Sequence, residues 1–133
     1  MKILIALTFV LFASVFGVCQ TKSPEKSAES EIKQVTVQET SEAVKQDDVQ
    51  FIDVRTISEF AAGHAPKTVN LPLDKLENEI SELDKTKPVY IICQTGRRSQ
   101  KGAEILQKAG FKKIFNVKGG TAEWISAGLP TEN

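Results

Sequence analysis

One short stretch concentrates the chemistry of this chain: Cys93-Gln94-Thr95-Gly96-Arg97-Arg98-Ser99, set directly behind the apolar run Val89 to Ile92. A thiol acts as a nucleophile only in its thiolate form. That form is favoured beside cations, at a helix N-terminus and under converging N–H donors. The stretch offers all three. Arg97 and Arg98 bring positive charge, Gly96 permits a turn with φ above zero, and the residues behind it read as the start of a helix. Successive N–H groups around such a turn form an anion-binding nest. A thiolate in that nest can attack electrophilic sulfur, phosphorus or arsenic, and the nest then stabilises the charged adduct. The competing reading makes Cys93 a small apolar residue closing a strand, but a plain strand-to-helix connection has no need of Cys, Gly and two Arg together.

For that loop to work, a buried strand must deliver Cys93 to the carboxyl edge of a sheet, where open α/β folds place their ligands. Val89 to Ile92 reads as that strand, and the helix behind the loop runs through Ala103 to Ala109 and closes at Gly110. Val35 to Val37, Val49 to Val54, Thr68 to Leu71 and Ile114 to Val117 are further strand candidates. Helical segments alternate with them. One spans about Glu39 to Gln46. Another opens on the capping box Thr56-Ile57-Ser58-Glu59 and stops at Gly63. A third starts at Pro72 and sets Leu73, Leu76, Ile80 and Leu83 on one face. The last holds Trp124 and Ile125 and ends at Gly128, with Pro130 just beyond. The alternation predicts an α/β fold with a mainly parallel central sheet of about five strands and helices on both faces.

The chain has 133 residues, enough for one small domain and an N-terminal extension. Hydrophobic residues make up 41% and charged residues 26%, which is too apolar for a disordered chain. Seventeen Lys and Arg balance seventeen Asp and Glu, so no net positive field gathers nucleic acid. One His and two Cys cannot supply a four-ligand zinc site, and a disulfide framework is excluded as well. No cofactor or metal is expected.

Met1-Lys2 precedes seventeen uncharged, mostly apolar residues from Ile3 to Cys19, the plan of a secretory signal. Two processing routes stay open. Cleavage after Val15-Phe16-Gly17 would free Val18, whereas Phe16-Gly17-Val18-Cys19 is similar to a bacterial lipobox in which Cys19 is lipidated, with Val18 where Gly, Ala or Ser is usual. Residues 20–33 are polar, Ser-rich and charged, a flexible tether. The expected organisation is a signal at 1–19, a linker at 20–33 and one domain at 34–133. The expected location is exported, either periplasmic or held at a membrane through Cys19.

The Cys93 to Ser99 loop resembles the active-site loop of rhodanese domains, which follow a C-x-x-G-x-R-S type pattern. Phe51-Ile52-Asp53-Val54-Arg55, followed by Glu59-Phe60 and Gly63-His64, is similar to that family's first signature, and Val117 to Pro130 to its terminal one. One departure follows His64: Ala65-Pro66-Lys67-Thr68 stands where the family usually has a bulky aliphatic residue, then Pro, Gly and Ala. Four residues separate Cys93 from Arg98, whereas related phosphatases and arsenate reductases have a loop one residue longer. The shorter ring suits a single sulfur atom better than a tetrahedral phosphate.

The resemblance thus implies a sulfurtransferase with Cys93 as nucleophile and sulfur carrier. The N–H groups of Gln94, Thr95, Gly96, Arg97, Arg98 and Ser99 would cradle the sulfur, and Arg97 or Arg98 would bind a small anionic sulfur donor. A thiol, a protein or cyanide would accept the sulfur. Asp53 and Arg55 are expected to form a supporting ion pair beside the loop. His64 is expected to be structural, since an already acidified thiol needs no base. Trp124 is expected in the core. A non-enzymatic sulfur carrier or partner-binding module, a small phosphatase or arsenate reductase, and a redox-sensing thiol remain the alternatives.

Overall fold

A computed structural model describes Gly17 and residues 30–133, so the signal, Cys19 and most of the tether lie outside the described residues. Five strands form one sheet in the order β1-β5-β4-β2-β3, with every pairing parallel: β1 Ile32–Val35, β2 Gln50–Asp53, β3 Val69–Asn70, β4 Val89–Ile92 and β5 Ile114–Val117. The helices are α1 Val37–Ala43, α2 Ile57–Ala61, α3 Leu76–Glu79, α4 Arg97–Lys108 and α5 Gly120–Ser126. This is the expected α/β architecture.

Side chains alternate across β4 as the pleat requires. Val89, Ile91 and Cys93 join the cluster beneath α3 and α4, where they meet Leu76, Ala103 and Leu106. Ile92 points to the other face and packs with Val37 of α1, Phe51, Val117 and Trp124 of α5. A strand covered on both faces has no polar side, which is why β4 reads as an uninterrupted apolar run. Trp124 is core, as expected: its ring lies 6.0 Å from that of Phe51, and its Nε1 donates to the Pro130 carbonyl at 2.8 Å.

Two local readings shift. The first strand is Ile32–Val35 rather than Val35 to Val37, so Ile32 and Lys33 pair with Ile114 and Phe115 instead of belonging to the tether. The β-branched residues Val35, Thr36 and Val37 suggest a strand, but Thr36 and Glu39 form a capping box that turns the chain into α1. The segment after Pro72 begins as a turn, reaches α3 only at Leu76 and tightens into a 3₁₀ turn at Ile80–Glu82. Its apolar face is as expected, since Leu73, Leu76, Ile80 and Leu83 all pack on the core. At the departure after His64, Lys67 takes φ 67°, a left-handed conformation that the glycine usual there adopts without a Cβ penalty.

Candidate functional site

Cys93 stands at the carboxyl end of β4, the central strand, flanked by the ends of β2 and β5. The chain turns at Gly96, whose φ of 96° is open to glycine, and enters α4 at Arg97. The Gly96 N–H donates to the Cys93 sulfur at 3.1 Å. Burial acts first and pushes the thiol up. The Ser99 hydroxyl and the N–H groups of Ser99, Thr95 and Gly96 together outweigh it and hold Cys93 below its ordinary range. The thiol is buried, and no other free cysteine stands among the described residues.

Two sides clamp the loop. From β5, the turn Gly119-Gly120 brings the start of α5 directly onto the Cys93 peptide. The Thr121 N–H and hydroxyl donate to the Cys93 carbonyl at 2.8 and 3.1 Å, and the Ala122 N–H donates to that of Gln94 at 3.1 Å. Gly120 has φ 59°, and a Cβ there would come within 2.4 Å of the Cys93 carbonyl oxygen. No larger residue fits. From β2, Asp53 and Arg55 form a fully buried pair: Arg55 Nη2 and Nε donate to Asp53 Oδ2 at 2.8 and 3.0 Å. Arg55 then extends Nη1 to Gln94 Oε1 at 3.3 Å and Nη2 to the Gly63 carbonyl at 2.8 Å. One guanidinium therefore ties β2, the turn before His64 and the Cys93 loop together.

The two loop arginines part company. Arg98 makes a two-pronged contact with Glu59 of α2, Nη1 to Oε2 and Nη2 to Oε1, both at 2.8 Å. The Arg98 hydrogen bond is the largest influence on Glu59; with the Thr56 N–H and hydroxyl it outweighs burial and brings the carboxyl down to about 2. Glu59 thus serves both as the reciprocal residue of the Thr56 capping box and as the anchor of Arg98. Arg97 is exposed and, among the described residues, has no ion-pair partner. Thr95 is exposed, Gln94 and Gly96 are half-buried and Ser99 is buried.

Sequence reasoning missed Asn116. It is buried at the end of β5, on the α4 side of the sheet, where its Oδ1 accepts the Ser99 hydroxyl proton at 2.6 Å and its Nδ2 donates to the Gly96 carbonyl at 3.3 Å. Ser99 has one proton for two acceptors, Asn116 and the Cys93 sulfur. The only signal in the sequence is an amide inside the otherwise apolar run Ile114-Phe115-Asn116-Val117. His64 lies away from the loop: it stacks on Phe60 with centroids 3.6 Å apart and hydrogen-bonds the Phe60 carbonyl through Nδ1 at 2.8 Å.

This sheet order, with a cysteine loop at the end of its central strand, coincides with a family match. Residues 36–127 match the rhodanese-like domain, and the chain belongs to that family. It is 37% identical over 106 residues to YrkF of Bacillus subtilis, a proposed sulfur carrier protein, covering 77% of this chain and 57% of that one. The chain therefore spans less than two thirds of that relative. It is also 34% identical over 92 residues to the thiosulfate sulfurtransferase GlpE of Coxiella burnetii, covering 69% of this chain and 86% of that one. The crystal structure of a rhodanese-like domain protein from Staphylococcus aureus superposes with a TM-score of 0.67 at 32% identity, over 77% of this chain and all of the other.

Proposed function

We propose that the protein is a sulfurtransferase that carries sulfane sulfur as a persulfide on Cys93. The observation that carries this reading is the Cys93 thiol, acidified inside a short ring of donors that closes on Arg98 after four intervening residues. The thiolate attacks the outer sulfur of a donor such as thiosulfate. A sulfur–sulfur bond forms to Cys93, the donor's own sulfur–sulfur bond breaks, and sulfite leaves with the electron pair. The terminal sulfur anion then sits where the loop N–H groups converge. An acceptor, cyanide in an assay or a thiol in the cell, attacks that sulfur, takes it and returns the thiolate. Every step conserves charge, and none needs an external base.

The name of the Bacillus subtilis relative favours a second reading, a carrier that passes its sulfur only to a partner protein. We further propose that the domain is exported, since the uncharged run Ile3 to Cys19 behind Lys2 has the plan of a signal, with Cys19 as candidate lipid anchor.

Intact mass before and after thiosulfate, then after cyanide, tests the reaction. The expected result is a gain of one sulfur atom that cyanide removes and that Cys93→Ser abolishes. An adduct that cyanide leaves in place is oxidation to a sulfinic acid, which adds nearly the same mass, and the lack of any reversible adduct favours the dedicated carrier. An adduct retained in Cys93→Ser overturns both readings.

A further inference from the structure

Beside the loop, on the exposed flank of α4, lies a hollow of about 310 Å³ lined by Thr95, Arg97, Arg98 and Lys101. Arg97 and Lys101 also line the neighbouring hollow, together with Gln100 and Glu104. They stand four residues apart, so they share one face of the helix. Side chains on a helix lean toward its N-terminus, which carries the Lys101 stem back toward Arg97 and the loop. Among the described residues neither cation has a carboxylate within ion-pair distance. Arg98 differs, because both of its terminal nitrogens are committed to the two oxygens of Glu59. Of the three cations bordering the hollow, only Arg97 and Lys101 are free to meet an incoming anion.

We infer that Arg97 and Lys101, and not Arg98, form the receiving edge for the sulfur donor, and that Lys101 is a specificity residue favouring small donors with two negative charges. The choice of donor rests on the sulfur-transfer reading; the edge itself does not. Cys93 does not line the hollow. The edge therefore acts through its field, which at physiological salt reaches about 8 Å.

The test separates charge at the mouth from turnover. Alkylation of Cys93 in the full chain by iodoacetate, an anion, is divided by alkylation by neutral iodoacetamide. Lys101→Gln should lower that ratio about threefold, the scale of one exposed charge interaction. Lys101→Arg should restore it, and Glu59→Gln, which frees Arg98, should raise it. In turnover, Lys101→Gln should reduce kcat/KM for thiosulfate, a dianion, about threefold more than for benzenethiosulfonate, a monoanion. An unchanged alkylation ratio in Lys101→Gln overturns the inference even if sulfur transfer is normal. An equal fall from Lys118→Gln, a lysine next to the Gly119-Gly120 turn and outside the hollow, would mean a diffuse field and also overturns it. If thiosulfate leaves no adduct while the ratio still falls, the sulfur-donor reading fails and the edge stands.

Discussion

Two carboxylate–arginine pairs brace the Cys93 loop from the β2–α2 segment, and they are built for different work. Asp53 and Arg55 are buried beneath it, with every terminal nitrogen of the arginine engaged. Glu59 and Arg98 sit at its rim, each about one third exposed. Solvent reaches and screens the rim pair, whereas the buried pair is closed off by the surrounding protein. The buried pair is therefore a fixed joint, whereas the rim pair removes one positive charge from the mouth at little energetic consequence. Proximity to a nucleophile does not make an arginine a substrate ligand; what else it already holds decides that.

The largest effect expected from breaking this contrast comes from Asp53→Ala. It strands a buried guanidinium and should destabilise the fold by about 3–5 kcal/mol, read as a lower midpoint in urea. Adding Arg55→Met should recover part of that loss, because the orphaned charge is gone, and a strictly additive double variant would show that the two side chains are not coupled. Next comes Ser99→Ala, which leaves Asn116 Oδ1 without its donor and removes one donor to the Cys93 sulfur. A loss of about 1–2 kcal/mol is expected. The pH midpoint of Cys93 alkylation by iodoacetamide, low in the parent, should move upward. No movement would exclude the hydroxyl from holding the thiolate.

The smallest effect belongs to the rim. Glu59→Gln should change stability by under about 1 kcal/mol at neutral pH, since solvent screens the pair. Its sign with pH is fixed: Glu59 is depressed in the folded state, to about 2 from 4.5, so its contribution is present above pH 4.5 and is lost as pH falls toward 2. The parent should therefore lose stability over that range more steeply than Glu59→Gln. Parallel acid limbs would put the pair out of the stability balance altogether.

What could be read from the sequence was local. The Thr56–Glu59 capping box, the glycine turn at Gly96 and the run Val89 to Ile92 each declare themselves within a few residues, and together they place the loop at a sheet edge. The Asp53–Arg55 pair was foreseen only through resemblance, and its fully buried state could not be read from two residues separated by one. Glu59 and Arg98 are 39 residues apart, so their contact exists only once α2 and α4 meet over the sheet. Asn116 reaches back to Ser99 across 17 residues for the same reason. At the N-terminal edge, β-branched residues at Val35 to Val37 signal a strand as strongly as Ile32 to Val35 does, and only the docked partner β5 decides the register.

The seat of α5 on the Cys93 peptide has a consequence for the order of events during synthesis. Thr121, which clamps the Cys93 carbonyl, is made 28 residues after it, and β1 finds its partner β5 only when the chain has reached Ile114. A chain that reaches only as far as α4 holds a cysteine whose loop is open on the α5 side and whose sheet lacks β5. The α5 side of the loop closes last, when Thr121 and Ala122 reach the Cys93 and Gln94 carbonyls, whereas the donors that acidify the sulfur all lie within residues 95–99 and precede it.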